Sequence, residues 1–142
     1  MKKVRDILEV KGRDVWSIGP DASVFDALKL MAEKDLGALV VLDGGTLVGI
    51  ISERDYARKI VLLGRASPTT QVKEIMTSRI ACVDPEQNVN ECMALVTEKR
   101  IRHLPVLENG KLIGLISIGD LVKSIITEQQ FIIEQLERYI TG

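Results

Sequence analysis

Gly49-Ile50-Ile51-Ser52-Glu53-Arg54-Asp55 returns 65 residues later as Gly114-Leu115-Ile116-Ser117-Ile118-Gly119-Asp120. The 65-residue offset then runs backward without a gap to Val15 and Ile80. Pro20 falls on Pro85, Val24 on Val89, Leu39 on Leu104, Gly45 on Gly110 and Leu47 on Leu112. A self-similarity this regular sets the architecture before any propensity is weighed. Two copies make a paired module, since an open solenoid needs about three or more units.

Around that stretch each copy has the same order of elements. Residues 4–10 read as a short lead helix, and Val72-Lys73-Glu74-Ile75-Met76 matches it type for type. Residues 11–14 read as a polar loop. Residues 15–18 and 80–83 read as short strands, each stopped by a proline, which cannot donate to a ladder. Val24, Ala27, Leu28 and Met31 recur at helical spacing, as do Val89, Cys92, Met93 and Val96. Ser23 and Asn88 are N-cap residues, with Asp26 and Glu91 placed to answer them. Two apolar strands follow in each copy, at residues 38–42 and 47–51 and at 104–107 and 112–116. Gly44-Gly45 and Asn109-Gly110 supply the positive φ of a tight hairpin. Strands this apolar are expected to be covered on both faces. A further helix follows each serine. The first carries Tyr56, Ala57, Ile60, Val61 and Leu63 and stops at Gly64. The second continues to the C-terminus with an apolar stripe of Val122, Ile125, Ile126, Ile132, Ile133, Leu136 and Ile140, longer than one small half-domain needs.

Composition narrows the function. A net charge of −1 over 142 residues argues against a general nucleic-acid binder. No apolar run reaches membrane-spanning length. The start has a basic pair but no apolar run behind it, so a cytoplasmic protein is expected. Cys82 and Cys92 lack metal-ligand spacing and are expected to be buried and reduced. Trp16 is expected to be a packing residue. No Cys/His pair, paired-carboxylate cleft or metal cluster is visible, and His103 is the only histidine.

Three stretches carry a resemblance: Met76-Thr77, Arg102-His103-Leu104-Pro105-Val106-Leu107, and Gly114-x-x-Ser117-x-x-Asp120. Together, and with the first copy's Gly49-x-x-Ser52-x-x-Asp55, they resemble the CBS domain in its tandem form, the Bateman module, over residues 4 to about 126. The first copy departs from the pattern, with Gly37-Ala38-Leu39-Val40-Val41 in place of the Arg-His-Leu-Pro-Val stretch.

The resemblance implies an α/β (α+β) fold of two half-domains, residues 1–66 and 67–142, related by a pseudo-twofold axis. It implies a non-enzymatic regulatory sensor of AMP or a related adenosyl compound such as ADP, ATP, S-adenosylmethionine or NAD(H), bound in clefts between the copies, without metal. It places ribose on Asp55 and Asp120 and phosphate on Ser52 and Ser117. Arg54, Arg58, Lys59, Arg102 and His103 are the neighbouring polar candidates. Ala38, Ile50, Val83, Leu115 and Ile118 are the apolar candidates for the base. The output would run through a homodimer or larger assembly, or a regulated protein partner. A structural adaptor without ligand, or a nucleotide-processing enzyme, are the alternatives. Residue chemistry is compatible with binding, because first-turn N–H groups favour an anion where a strand becomes a helix. It is equally compatible with a cap, because Ser-x-x-Asp is also a capping-box pattern. Arg54, Arg58 and Lys59 also fit a solvated helix face, and His103 an inert position.

Overall fold

The computed structural model describes residues 2–141. The chain forms two compact units, one of residues 15–81 and one of residues 1–14 with 82–142. This division departs from the repeat boundary after residue 66. The segment leading each repeat packs in the unit of the other.

In the unit of residues 15–81, β1 (Ser17–Ile18) runs parallel to β2 (Ala38–Asp43), and β2 runs antiparallel to β3 (Thr46–Ser52). Gly44 and Gly45 turn the hairpin at φ 57° and 87°, the double positive φ of a type I′ turn. Helix α2 (Val24–Lys34) starts at Ser23, whose hydroxyl accepts the Asp26 N–H. It buries Val24, Ala27 and Met31 against Leu39, Val41 and Ile51. Helix α3 (Glu53–Tyr56) passes into a π-turn over Ala57–Val61. The sequence predicts an unbroken α-helix there. The wider turn buries Ile60 but leaves Val61, Leu62 and Leu63 exposed. Helix α4 (Val72–Ile75) closes the same core with Val72 and Ile75.

The second unit repeats the plan. Helix α5 (Val89–Lys99) is capped by Asn88, which accepts the Glu91 N–H while Glu91 answers at the Asn88 N–H. Strands β4 (His103–Glu108) and β5 (Lys111–Ser117) form an antiparallel pair turned by Asn109 and Gly110. Of the expected strand at 80–83, only Val83 pairs: its N–H donates to Pro105 O and its carbonyl accepts the Leu107 N–H. Pro85, close behind, limits any extension. Helix α1 (Val4–Lys11) buries Val4, Ile7 and Leu8 in this unit. Helix α6 (Ile118–Thr141) follows β5 directly.

The lead segments dock by the same bonds. The Val72 and Lys73 N–H groups donate to Ala22 O and Pro20 O, and those of Val4 and Arg5 donate to Gln87 O and Pro85 O. An ion pair reinforces each contact, Lys73 with Asp21 and Lys3 and Arg5 with Glu86.

Two other expectations change. Cys92 is buried, and its thiol is pushed up to about 11 by burial, with Glu91 and Asp84 adding to it. Cys82 is exposed instead, because it precedes the single paired residue Val83 and has no strand neighbours to cover it. Trp16 is 42% exposed, and the Lys34 ammonium lies 4.2 Å from its ring centroid. Its packing is a cation–π contact at the surface.

One glycine in each unit permits a close approach. A Cβ on Gly49 would lie 2.8 Å from the Met76 sulfur and 2.9 Å from the Thr77 carbonyl oxygen. A Cβ on Gly114 would lie 2.6 Å from a Leu8 methyl group. The first obstacle includes backbone, whereas the second is the end of a flexible side chain. Gly49→Ala is therefore expected to destabilise by about 2–3 kcal/mol, toward the upper part of the overpacking range, and Gly114→Ala by about 1 kcal/mol. Urea melts of both variants check the order; equal losses would show that Leu8 cannot yield.

Candidate functional site

Both repeated motifs sit where a strand hands over to a helix. In β3 and α3, Ser52 ends the strand opposite Ala38. The Ser52 hydroxyl accepts the Asp55 N–H at 3.1 Å and donates to Asp55 Oδ2 at 3.0 Å, and the Ser52 N–H donates to the same oxygen at 3.0 Å. This is a complete capping box. The other oxygen, Oδ1, accepts from the Thr77 hydroxyl at 3.1 Å and pairs with the Lys59 ammonium at 3.1 Å. Lys59 also donates to the Ile75 carbonyl at 2.8 Å. Asp55 is 8% exposed, and both of its oxygens are engaged.

The second motif has the same box and a different cation. Ser117 ends β5 opposite His103. Its hydroxyl accepts the Asp120 N–H at 3.1 Å, and its N–H donates to Asp120 Oδ2 at 2.7 Å. The cation is Lys11 from the end of α1. Its ammonium lies 2.6 Å from Asp120 Oδ2 and donates to the Leu115 carbonyl at 2.6 Å. Among the described hydrogen bonds, the Lys11 ammonium and the Ser117 N–H both fall on Oδ2, and none is described on Oδ1. Burial alone would raise the Asp120 pKa; the Lys11 contact and the Ser117 hydrogen bonds outweigh it and hold the carboxyl below its ordinary value of 3.8.

The two units place the sequence candidates as follows. Ser52, Asp55 and Lys59 meet at one junction, with Ala38 and Ile50 buried on the adjoining strands. Arg54 is half-buried and Arg58 exposed, and neither reaches Asp55 among the described hydrogen bonds. Ser117 and Asp120 meet at the other junction. His103 lies beside Ser117 in the sheet, Val83 is buried on β4, and Leu115 supplies the carbonyl that holds Lys11. Arg102 contributes its carbonyl to the Ile118 N–H at 2.8 Å, while its side chain and that of Ile118 are exposed. Reasoning from sequence overlooked Lys11 and gave Thr77 no contact. Lys59 lies four residues from Asp55 and is locally visible as a pair. Lys11 lies 109 residues from Asp120, and only the docking of α1 brings it there.

The chain matches the CBS domain over residues 4–62 and again over 72–127. It belongs to the CBS-domain family. This tandem CBS pair is 40% identical over 149 residues to the mitochondrial CBS domain-containing protein CBSX3 of Arabidopsis thaliana, covering 98% of this chain and 72% of that one. It is 56% identical to a putative signal-transduction protein with CBS domains from Burkholderia ambifaria, with a TM-score of 0.86 over 90% of this chain and 96% of the other. The CBS domain pair of protein MJ0100, solved with 5′-methylthioadenosine and S-adenosyl-L-methionine, shares the fold at a TM-score of 0.79 and 21% identity, covering 90% of this chain and 98% of that one. Among the described residues no helix is long and apolar enough to cross a membrane, and no cluster of His, Cys, Asp or Glu has the makings of a metal site.

The Asp120 environment makes a pH prediction. A folded-state pKa below the unfolded value stabilises the protein above the unfolded pKa, and that contribution is lost as pH falls through the folded one. The side-chain carboxyl carbon of Asp120, followed by NMR, is expected to titrate below 3.8. Lys11→Met is expected to move the midpoint upward, to lower the stability at neutral pH and to flatten its further loss on acidification. An unmoved midpoint would assign the depression to the Ser117 hydrogen bonds alone.

Proposed function

We propose that this CBS pair senses AMP or a related adenosyl nucleotide (ADP, ATP or NAD(H)) in the cytoplasm, and that the Ser117–Asp120 motif is the better equipped of its two. The observation that carries this reading is the difference between the two aspartates. Ribose recognition needs a carboxylate oxygen able to accept from a hydroxyl. Among the described hydrogen bonds Asp120 Oδ1 takes none, whereas Asp55 gives one oxygen to Ser52 and the other to Thr77 and Lys59. Lys11 beside Asp120 is a cation within reach of a phosphate, and the long helix α6 begins there with its positive end. Arg102, His103 and Ser117 complete the polar set, with Val83, Leu115 and Ile118 as apolar candidates for the base. The first motif would need Lys59 or Thr77 to withdraw before Asp55 could take a ribose. Ser52, Arg54 and Arg58 would then hold the phosphates. The sensor's output would pass through self-association or a regulated protein partner.

A second reading has its own support. Both motifs form complete capping boxes with a lysine locked onto the aspartate. A purely structural adaptor would need nothing more.

Thermal shift with a nucleotide panel separates the two readings. A ligand that binds only the folded state stabilises it by about 2.7 kcal/mol at a hundredfold excess over its dissociation constant. AMP, ADP, ATP or NAD(H) should raise the melting temperature while GMP does not. Equal shifts with AMP and GMP would remove the adenine reading, and no shift with any adenosyl compound would favour the adaptor.

Substitutions at the two aspartates sharpen this. Asp55→Ala removes a cap and strands Thr77 and Lys59, so the ligand-free protein is expected to lose about 2–3 kcal/mol. Asp120→Ala removes a cap and a partly exposed ion pair, for about 1–2 kcal/mol. It should also lower adenosyl affinity at least tenfold, equivalent to about 1.4 kcal/mol. Calorimetry showing unchanged affinity in Asp120→Ala would leave that residue a cap and nothing else.

A further inference from the structure

Helix α6 outruns the domain it belongs to. The family match ends at residue 127, and the helix continues to Thr141. Over its first turns it leans on its own unit through buried Leu121 and half-buried Ile125. From residue 129 to 140 every residue is exposed.

A second face lies about 100° around the helix from Leu121, at 100° per residue. It carries Val122, Ile126, Gln129, Ile133, Leu136 and Ile140, with alternating spacings of four and three residues. That is the heptad pattern of a coiled-coil seam, with isoleucine at each first position and Val, Gln and Leu at each fourth. The apolar residues of the seam are 42–80% exposed. The seam is about 27 Å long at 1.5 Å per residue.

Charge settles the direction. In a parallel pair, the positions flanking the seam would set Ile125 against Gln130 and Ile132 against Glu137, with no opposite charges meeting. In an antiparallel pair the layers are Ile126 on Leu136, Ile133 on Gln129 and Ile140 on Val122. One flank then places Lys123 of each copy by Glu137 of the other, twice by symmetry. The other flank places Ile125 by Tyr139 and Ile132 by Ile132.

We propose that the occupant of this face is α6 of a second copy of this chain, running antiparallel. This deepens the self-association named above as the sensor's output, and it stands whether or not the motifs take nucleotide. The pairing is isologous, as closed two-fold dimers require. Gln129, the single polar residue of the seam, then acts as a register marker.

Disulfide trapping of the full chain without nucleotide tests both the occupant and the direction, in a Cys82→Ser background that removes the exposed native thiol. Val122→Cys combined with Ile140→Cys is expected to give a covalent dimer on mild oxidation. Either substitution alone is expected to give little. The two positions lie too far apart on one helix to join within a copy. Lys123→Glu is expected to weaken self-association at least tenfold by light scattering across a dilution series, and adding Glu137→Lys to restore it. Strong trapping of Ile140→Cys alone would show a parallel pair and overturn the proposal. So would an untrapped double variant, or a charge reversal that Glu137→Lys fails to rescue. The α6 positions are all exposed, and circular dichroism of each variant is the check that the fold is intact. Because no nucleotide is present, failure here leaves the ligand reading standing, and a silent nucleotide panel leaves this pairing standing.

Discussion

Within each unit, the site geometry depends on a lead segment lying against a glycine of the hairpin. At Gly49 the approach is backbone on backbone: the Ile50 N–H donates to Thr77 O at 3.0 Å and the Thr77 N–H to Ile50 O at 2.8 Å. Only a residue without Cβ lets the chains come this near. That contact carries the Thr77 hydroxyl to Asp55. At Gly114 the neighbour is Leu8, one turn before Lys11, and seating Leu8 there carries Lys11 to Asp120. A side chain at Gly49 would press on the Thr77 backbone and move the Thr77 hydroxyl from Asp55, whereas one at Gly114 would meet only the flexible end of Leu8. Fold and site therefore share one constraint, and a destabilised lead segment would alter the motif before it unfolded the unit.

Much of this was open to reading because it is local or repeated. The 65-residue offset brings out the paired sheets, both type I′ hairpins, and Ser23 and Asn88 as caps. The seven-residue stretch around each Ser-x-x-Asp gives the strand-to-helix junction and its box. The unseen parts are those that sequence distance hides. Lys11 read as loop, since nothing local links it to a carboxylate 109 residues away. The π-turn after Tyr56 is not legible in the sequence, because the apolar spacing of Ile60 and Leu63 also satisfies an ordinary helix. Cys82 was expected inside from its residue type, yet its segment makes only one residue's worth of ladder.

The exchange of lead segments also explains why a duplicated motif has two electrostatic solutions. In the first copy the cation comes from the same helix as the aspartate, at the four-residue spacing of a helical pair. It costs little entropy to hold, and the π-turn that follows Tyr56 keeps Lys59 directed at the Ile75 carbonyl of α4. In the second copy the position equivalent to Lys59 is Ser124, so the aspartate is left to a lysine from outside the repeat. Lys11 is the last residue of α1, next to Gly12 at φ 97°, where the helix ends.

Under the proposed function, that difference would make the two motifs respond unequally to a ligand. Freeing Asp55 means parting a nearly buried carboxylate from Ser52, Thr77 and Lys59, and a buried carboxylate left without partners is costly. Asp120 would need no such release at Oδ1, which takes no hydrogen bond among those described. A phosphate arriving beside it would draw Lys11 from a carboxylate toward a second anion while the Leu115 carbonyl still holds the ammonium. The displaced group sits at the end of α1, whose other contacts include the Gln87 and Pro85 carbonyls, the Arg5–Glu86 ion pair and the seat at Gly114. A pull on Lys11 thus acts on the helix that organises the second unit, whereas a pull on Lys59 acts on a π-turn that ends in exposed Val61, Leu62 and Leu63. In the proposed sensor an occupied Asp120 would therefore act on α1, whereas an occupied Asp55 would act on the π-turn, its buried Ile60 and the Ile75 carbonyl of α4.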